Sequence, residues 1–333
     1  MTKRDLVLKV LRNETVERIP VGFWFHFLDD PGGTDGLENP KLLDDNLAGH
    51  RKFYETFKPD IVKIMSDGMF RYPNELFMTA KTARELRNVK SIGEDHPWIE
   101  RQVKLVKDVT ALFGGEVLSF YNIFAPSTTF KFRRGGNKEA YKILADFIIE
   151  DKDAVIHALD VAAKDLAILA RRVTSEGGAD GIYLSTQDTG DTRITAELQK
   201  EVINPGDFTV LNAANSGGKF NILHICGYEG HRNDLTRYTD YPAQIINWAA
   251  VVEGVPLGEG KKIFGGKPVI GGFGNTVNDL LYRGTQKEVE DETARIIAEA
   301  GKTGIIIGAD CTVPAAIDLK RLSWVRDKAA ALS

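Results

Sequence analysis

Gly304-Ile305-Ile306-Ile307-Gly308 is an unbroken apolar run between two glycines, with an amphipathic helical pattern before it at residues 286–300 and another after it at 315–331. A strand that is apolar at every position is one buried on both faces, as in a parallel sheet covered by helices. The same rhythm extends back toward the amino terminus. Strands are expected at residues 19–24, 60–65, 116–121, 180–185, 221–225, 244–248, 268–272 and 304–308, with further helices at 41–57, 138–149 and 152–174. Eight strands alternating with helices predict an α/β fold, a single (β/α)8 TIM barrel, with a doubly wound open sheet as the alternative. The strands at 116–121 and 244–248 lack an evident single crossover helix.

No repeat or Pro/Ser-rich linker divides the chain, so one domain over residues 1–333 is expected. Pro31, Gly32, Gly33, Gly36 and Pro40 mark a long loop after the first strand, and residues 254–266 mark another after the sixth. Both fall at the carboxyl ends of strands, the end of a barrel that carries its chemistry. The 43 basic and 47 acidic residues leave a net charge of −4, with Lys and Arg scattered among acids. Such a chain has no field for holding a phosphate backbone, which disfavours nucleic acid. No apolar run approaches the ~20 residues that span a bilayer. Met1-Thr2-Lys3-Arg4-Asp5 leads into an amphipathic pattern rather than a signal-peptide core, so a cytoplasmic protein is expected.

The residues most suggestive of chemistry are His224-Ile225-Cys226 and the distant Cys311. In a strand, positions i and i+2 share a face, so His224 and Cys226 point together. Cys311 follows the 304–308 strand, and in a barrel the three would meet on one rim. One imidazole and two thiolates leave the fourth position of a tetrahedral Zn2+ open to substrate, which distinguishes a catalytic from a structural zinc site. Zinc there would depress the pKa of a substrate thiol while leaving it nucleophilic. Two alternatives stand beside this reading: cysteines buried as small hydrophobes, and a redox disulfide between Cys226 and Cys311.

Several short motifs occur in order: Arg12-Asn13-Glu14-Thr15-Val16-Glu17-Arg18-Ile19-Pro20-Val21, Ile222-Leu223-His224-Ile225-Cys226-Gly227, residues 270–276 followed by Leu280-Leu281-Tyr282-Arg283-Gly284-Thr285, and residues 308–314. Together they resemble the uroporphyrinogen decarboxylase superfamily, a barrel family that also holds zinc-dependent methylcobamide:thiol methyltransferases of the coenzyme M type. The resemblance implies one barrel domain with its site at the carboxyl ends of the strands. Its decarboxylase branch carries an arginine-rich stretch after the first strand, where guanidinium groups grip carboxylates. Here that place reads Phe23-Trp24-Phe25-His26-Phe27-Leu28-Asp29. The decarboxylase turn appears as Gly272-Phe273-Gly274-Asn275-Thr276, which makes Gly274 and Asn275 candidate substrate contacts. One decarboxylase feature survives in Ser66-Asp67-Gly68, which puts Asp67 forward as a catalytic carboxylate. The methyltransferase branch's His-x-Cys with a distant third Cys is matched by His224, Cys226 and Cys311.

Among the other rim residues, Asp67 could orient a ligand histidine or cap the next helix, and His26 could contact substrate or line a pocket wall. Ser185 and Gln187, followed by Asp188, offer hydrogen bonds after the fourth strand. Residues 130–134 read as a loop in which Arg133 could hold an anionic tail. The glycines at 271, 272 and 274 read as close backbone approach rather than a dinucleotide loop. The leading expectation is a zinc-dependent methyltransferase that moves a methyl group to an activated thiol from a corrinoid (methylcobamide) donor, which the resemblance places on a partner protein. The alternatives are a decarboxylase acting on uroporphyrinogen or another carboxylated substrate, and a ligand-binding barrel without turnover. An oligomer is compatible with each.

Overall fold

The computed structural model describes residues 1–30, 35–217 and 220–332. Seven strands form one parallel sheet: β1 Ile61–Ile64, β2 Leu118–Phe124, β3 Gly181–Thr186, β4 Ile222–Ile225, β5 Ile245–Trp248, β6 Val269–Phe273 and β7 Ile305–Ala309. Each pairs with the next in chain order. Side chains alternate across the curled sheet. Leu223 and Ile225 join the large core between strands and helices. Ile222 faces the inner core, where Ile61, Leu118, Ile245, Ile270 and Ile306 meet Val7, Val10 and Leu11 of the helix Lys3–Leu11. Each of these aliphatic side chains contributes about 2 kcal/mol when fully buried.

Eight strands were expected and seven are present. The segment expected at 19–24 contributes a single bridge, Val21 to Ile307. It lies between β7 and β1, with Gly22 N donating to Ile307 O at 2.9 Å, Ile307 N to Pro20 O at 3.0 Å and Asp60 N to Val21 O at 3.1 Å. Two causes keep it from becoming a ladder. Pro20 has no N–H to give, and the N–H of Val21 goes to the Asp60 carboxylate at 2.9 Å, a carboxylate also held by Arg18. The approach is close: a Cβ at Gly22 would sit 2.3 Å from Ile61 Cγ2, and one at Gly308 2.6 Å from Gly22 O. The architecture is thus an α/β fold of the TIM-barrel type with seven strands in its sheet.

The two strands without an evident crossover helix are followed by several. After β2 come Pro126–Arg133, Lys138–Glu150 and Lys152–Ser175, and after β5 come Ala250–Glu253 and Leu257–Ile263. The loop expected at 254–266 is therefore largely helical. Its Gly260 packs against Trp248, whose ring a Cβ there would meet at 2.1 Å. Residues 130–134, expected as a loop, are mostly the end of the helix Pro126–Arg133. In the glycine-rich loop expected at 30–40, residues 31–34 (among them Pro31, Gly32 and Gly33) lie outside the described residues. Helix starts follow their caps: the Thr285/Glu288 capping box opens Gln286–Ala300, and Asp318 delays the last helix to Leu319–Ala331. Among the described residues, no helix is long and apolar enough to cross a membrane.

Candidate metal centre and its cavity

The carboxyl ends of β1 to β4 and the loop after β7 surround a cavity of about 400 Å3. His224 comes from β4, Cys226 from just past its end and Cys311 from just past β7. Their ligand atoms lie within 4.8 Å of one another. His224 is buried, while the cysteines are partly exposed free thiols.

The histidine is held by one neighbour. His224 Nδ1 lies 2.5 Å from Asn247 Oδ1, and the amide is oriented by its other end, where Nδ2 donates to Ile270 O at 2.8 Å and Ala309 O at 3.3 Å. With Oδ1 facing the ring, Nδ1 must donate. That leaves Nε2 with its lone pair, buried and without a hydrogen-bond partner. A buried imidazole nitrogen with no partner beside two thiols is a donor set that suits zinc.

Each cysteine is fixed through its backbone. Cys226 N donates to Thr186 O at 2.8 Å and its carbonyl accepts from Asn233 Nδ2 at 3.0 Å. On the other side, Asp310 N donates to Phe273 O at 2.7 Å, Asp310 Oδ2 accepts from Val251 N at 2.8 Å, and Val313 N donates to Trp24 O at 3.1 Å. Cys226 is pushed up by its hydrogen bond to Cys311 and by burial. Cys311 is held well below the usual thiol range, first by that bond and then by His224 and Lys63.

Lys63, on β1, was not singled out from sequence. Its Nζ lies 3.9 Å from the ring centroid of Tyr183 and 5.5 Å from that of Trp24, in a cation–π seat. Burial pushes its pKa down to about 8, opposed by Cys311, Cys226 and Asp67. A lysine inside the otherwise apolar Ile61–Met65 run is the signal that could have found it, as Asn247 is in β5.

The remaining sequence candidates divide. His26, Asp67, Ser185, Gln187 and Arg133 all line the cavity. Gln187 Oε1 accepts from the buried Lys131 Nζ at 2.7 Å. The Arg133 pKa is lowered by burial and by Arg71, and its Nε is buried without a hydrogen bond. Gly274 and Asn275 lie off the cavity wall: Gly274 abuts Asp279, and Asn275 Nδ2 donates to Thr312 O at 3.0 Å, bracing the Cys311 loop. Asp67, expected as a catalytic carboxylate, has a fully buried side chain committed to protein donors.

The uroporphyrinogen decarboxylase (URO-D) family profile matches residues 61–331. The chain belongs to the URO-D family. Among solved structures, a methyltransferase from Methanosarcina mazei is 15% identical over 100% of this chain and 99% of its own, with a TM-score of 0.73. A putative vitamin-B12-independent methionine synthase from Listeria monocytogenes is 13% identical over 95% of this chain and 96% of its own, at 0.53. A B12-independent methionine synthase from Shewanella sp. W3-18-1, solved with selenomethionine, is 13% identical over 95% of both chains, at 0.50. These likenesses establish a shared fold. No curated protein is similar enough to match. In this URO-D chain the profile takes in β1 through the last helix, and with them His224, Cys226 and Cys311.

Proposed function

We propose that this URO-D-family protein is a zinc-dependent methyltransferase that transfers a methyl group from a corrinoid-type donor to a substrate thiol. The observation that carries the reading is the unpartnered, buried Nε2 of His224 beside the Cys226 and Cys311 thiols at a cavity wall. Three protein donors and an adjoining cavity leave room for one more, which suits an open rather than a closed site. When bound, zinc would supply the charge that makes a substrate thiol ionise near neutral pH and stay nucleophilic. The methyltransferase of shared fold gives the reaction class a precedent on this scaffold.

The chain's own residues do the rest. Asn247 keeps His224 in the tautomer with a free Nε2. The Lys63 ammonium, over Tyr183 and near both thiols, offsets the negative charge that a third sulfur brings. Arg133, Ser185 and Gln187 supply polar contacts for the body of the substrate, and apolar walls from Phe124, Phe132 and Leu166 exclude water around it. A cavity of about 400 Å3 suits a small thiol. A corrinoid carried on a partner protein would present its methyl group at the mouth. As the new S–C bond forms, the electron pair of the breaking bond leaves with the donor.

A decarboxylase keeps one supporting observation, the Arg71 and Arg133 side chains on the cavity wall, which could meet carboxylates. Against it, the Asp67 carboxylate is occupied by protein donors. The deciding experiment is elemental mass spectrometry of the purified protein, followed by incubation with methylcobalamin and a panel of small thiols. About one zinc per chain and thioether product are expected. Coproporphyrinogen formation that survives chelation would overturn the reading.

A further inference from the structure

The segment beside β1 ends in a second oriented histidine. His26 lines the same cavity as Cys226 and Cys311 with its side chain 41% exposed, while the Asp67 side chain beside it is 0% exposed. Nδ1 of His26 lies 3.0 Å from Asp67 Oδ1. Phe27 N donates to both carboxylate oxygens at 3.1 Å, and Asn46 Nδ2 donates to Oδ2 at 2.7 Å. The other donors are N–H groups, so His26 also meets the carboxylate with an N–H, which leaves Nε2 as the basic nitrogen of the neutral ring.

The shelf under this pair is rigid. Asn46 also donates to Met65 O at 3.0 Å, His50 Nδ1 lies 2.9 Å from Asn46 O, and Met65 N donates to His50 Nε2 at 3.1 Å. These bonds lock the helix Lys41–Phe57 to the end of β1. Asp67 itself sits at φ +49°, a left-handed conformation that costs a non-glycine residue about 1 kcal/mol or more. The strained backbone holds the carboxylate under His26. A base oriented by a buried carboxylate at a cavity wall is the arrangement of general acid–base catalysis.

We propose that His26 accepts the proton a substrate thiol gives up on entering the cavity, with Asp67 as its positioning residue. The inference rests on the thiol reading above. The S–H bond breaks, its electron pair stays on sulfur, and the proton bonds to Nε2; the imidazolium so formed is stabilised by Asp67 and passes its proton to solvent from the exposed side of the ring. The other titratable groups on this wall are Lys63, Arg71, Tyr72, Arg133, His224 and Tyr228, with the Cys226–Cys311 pair. Lys63 is less suited to the task, being 8% exposed and seated on two rings, with no carboxylate among the described residues bonded to it to orient it or to stabilise the charge a proton brings.

The test uses protein loaded with Co2+ in place of zinc: Cys226 and Cys311 would already give sulfur-to-metal charge-transfer absorption, and its increase on mixing reports arrival of a further thiolate without any turnover. 2-Mercaptoethanol is the probe, mixed by stopped flow from about pH 5.5 to 9, across the range in which an imidazole titrates. The wild-type rate is expected to rise with deprotonation of one group. His26→Gln, which can still hydrogen bond to Asp67, should lose that dependence and slow at least tenfold near neutrality, within the 10²–10⁴ range of a general base. His26→Ala should be slow in the same way and recover with added imidazole. Asp67→Asn, tolerated at positive φ, should displace the pH profile. Unchanged profiles and rates in both His26 variants, with the thiolate band intact, would overturn the inference and leave the thiol reading standing. Absence of any increase in the band when 2-mercaptoethanol is added to metal-loaded wild type would overturn both.

Discussion

Asn247 Oδ1 lies 2.5 Å from His224 Nδ1 and also accepts from Tyr183 OH at 2.7 Å, so one buried amide sets the ring of the histidine in the candidate metal cluster. Partners behind a metal-ligating histidine typically account for 10- to 100-fold in affinity. Asn247→Leu should therefore weaken zinc binding by about that factor in competition with a chromophoric chelator. An unchanged affinity would mean that packing alone orients the ring.

The three sulfur and nitrogen donors should behave as one site. Cys311→Ala, Cys226→Ala and His224→Ala are each expected to lower zinc from about one per chain to a small fraction. Elemental analysis beside a thermal melt separates metal loss from unfolding. Full zinc in any of the folded variants would remove that residue from the ligand set.

Lys63 offers a test in which stability and activity move in opposite directions. Burial penalises the charged form of Lys63, so an apolar side chain of similar length relieves a desolvation cost. Lys63→Met should therefore melt no lower than wild type while methyl transfer to thiol falls at least tenfold, because the countercharge over Tyr183 is gone. A fall in both would mark Lys63 as structural.

Asp207 predicts a pH dependence of stability away from the metal centre. The buried carboxyl accepts from Tyr241 at 2.9 Å and Thr186 at 3.2 Å, and burial pushes its pKa up to about 7, well above the ordinary carboxylate range. The folded state thus keeps a proton that the unfolded chain loses. Its contribution is complete below about pH 4 and is lost as pH rises toward 7, on the order of 4 kcal/mol at most. Denaturant titrations at pH 5 and 8 should show a smaller loss in Asp207→Asn than in wild type. Equal losses would place the titration elsewhere.

Much of the sheet was legible because buried parallel strands are largely apolar, as at Ile305–Ile307 and, His224 apart, at Ile222–Ile225. His224 and Cys226 could be paired for the same reason, since the period of two fixes a shared face. The helices Lys3–Leu11 and Pro97–Phe113 were not drawn from pattern, and the eighth strand was over-read. Val21 looks like strand, but its N–H bonds to Asp60, a tertiary partner that no local pattern shows. Lys63 and Asn247 were missed because a polar residue in an apolar run is discounted when period is the guide. Gly274 and Asn275 were placed by motif, and motif does not show which way a loop turns.

The short seam at Val21, between β7 and β1, ties the two edges of the sheet to the candidate site. This stave is fastened by few backbone bonds, yet it leads directly to Trp24, whose carbonyl holds the Cys311 loop through Val313, and to His26 and Phe27, which grip Asp67. Lightly bonded segments open first in a native protein. Opening here would release the Cys311 loop and one cavity wall together, which would link occupancy of the cavity to closure of the seam. By reciprocity, whatever fills the cavity should slow amide exchange at Gly22 and Ile307, residues outside the cavity lining.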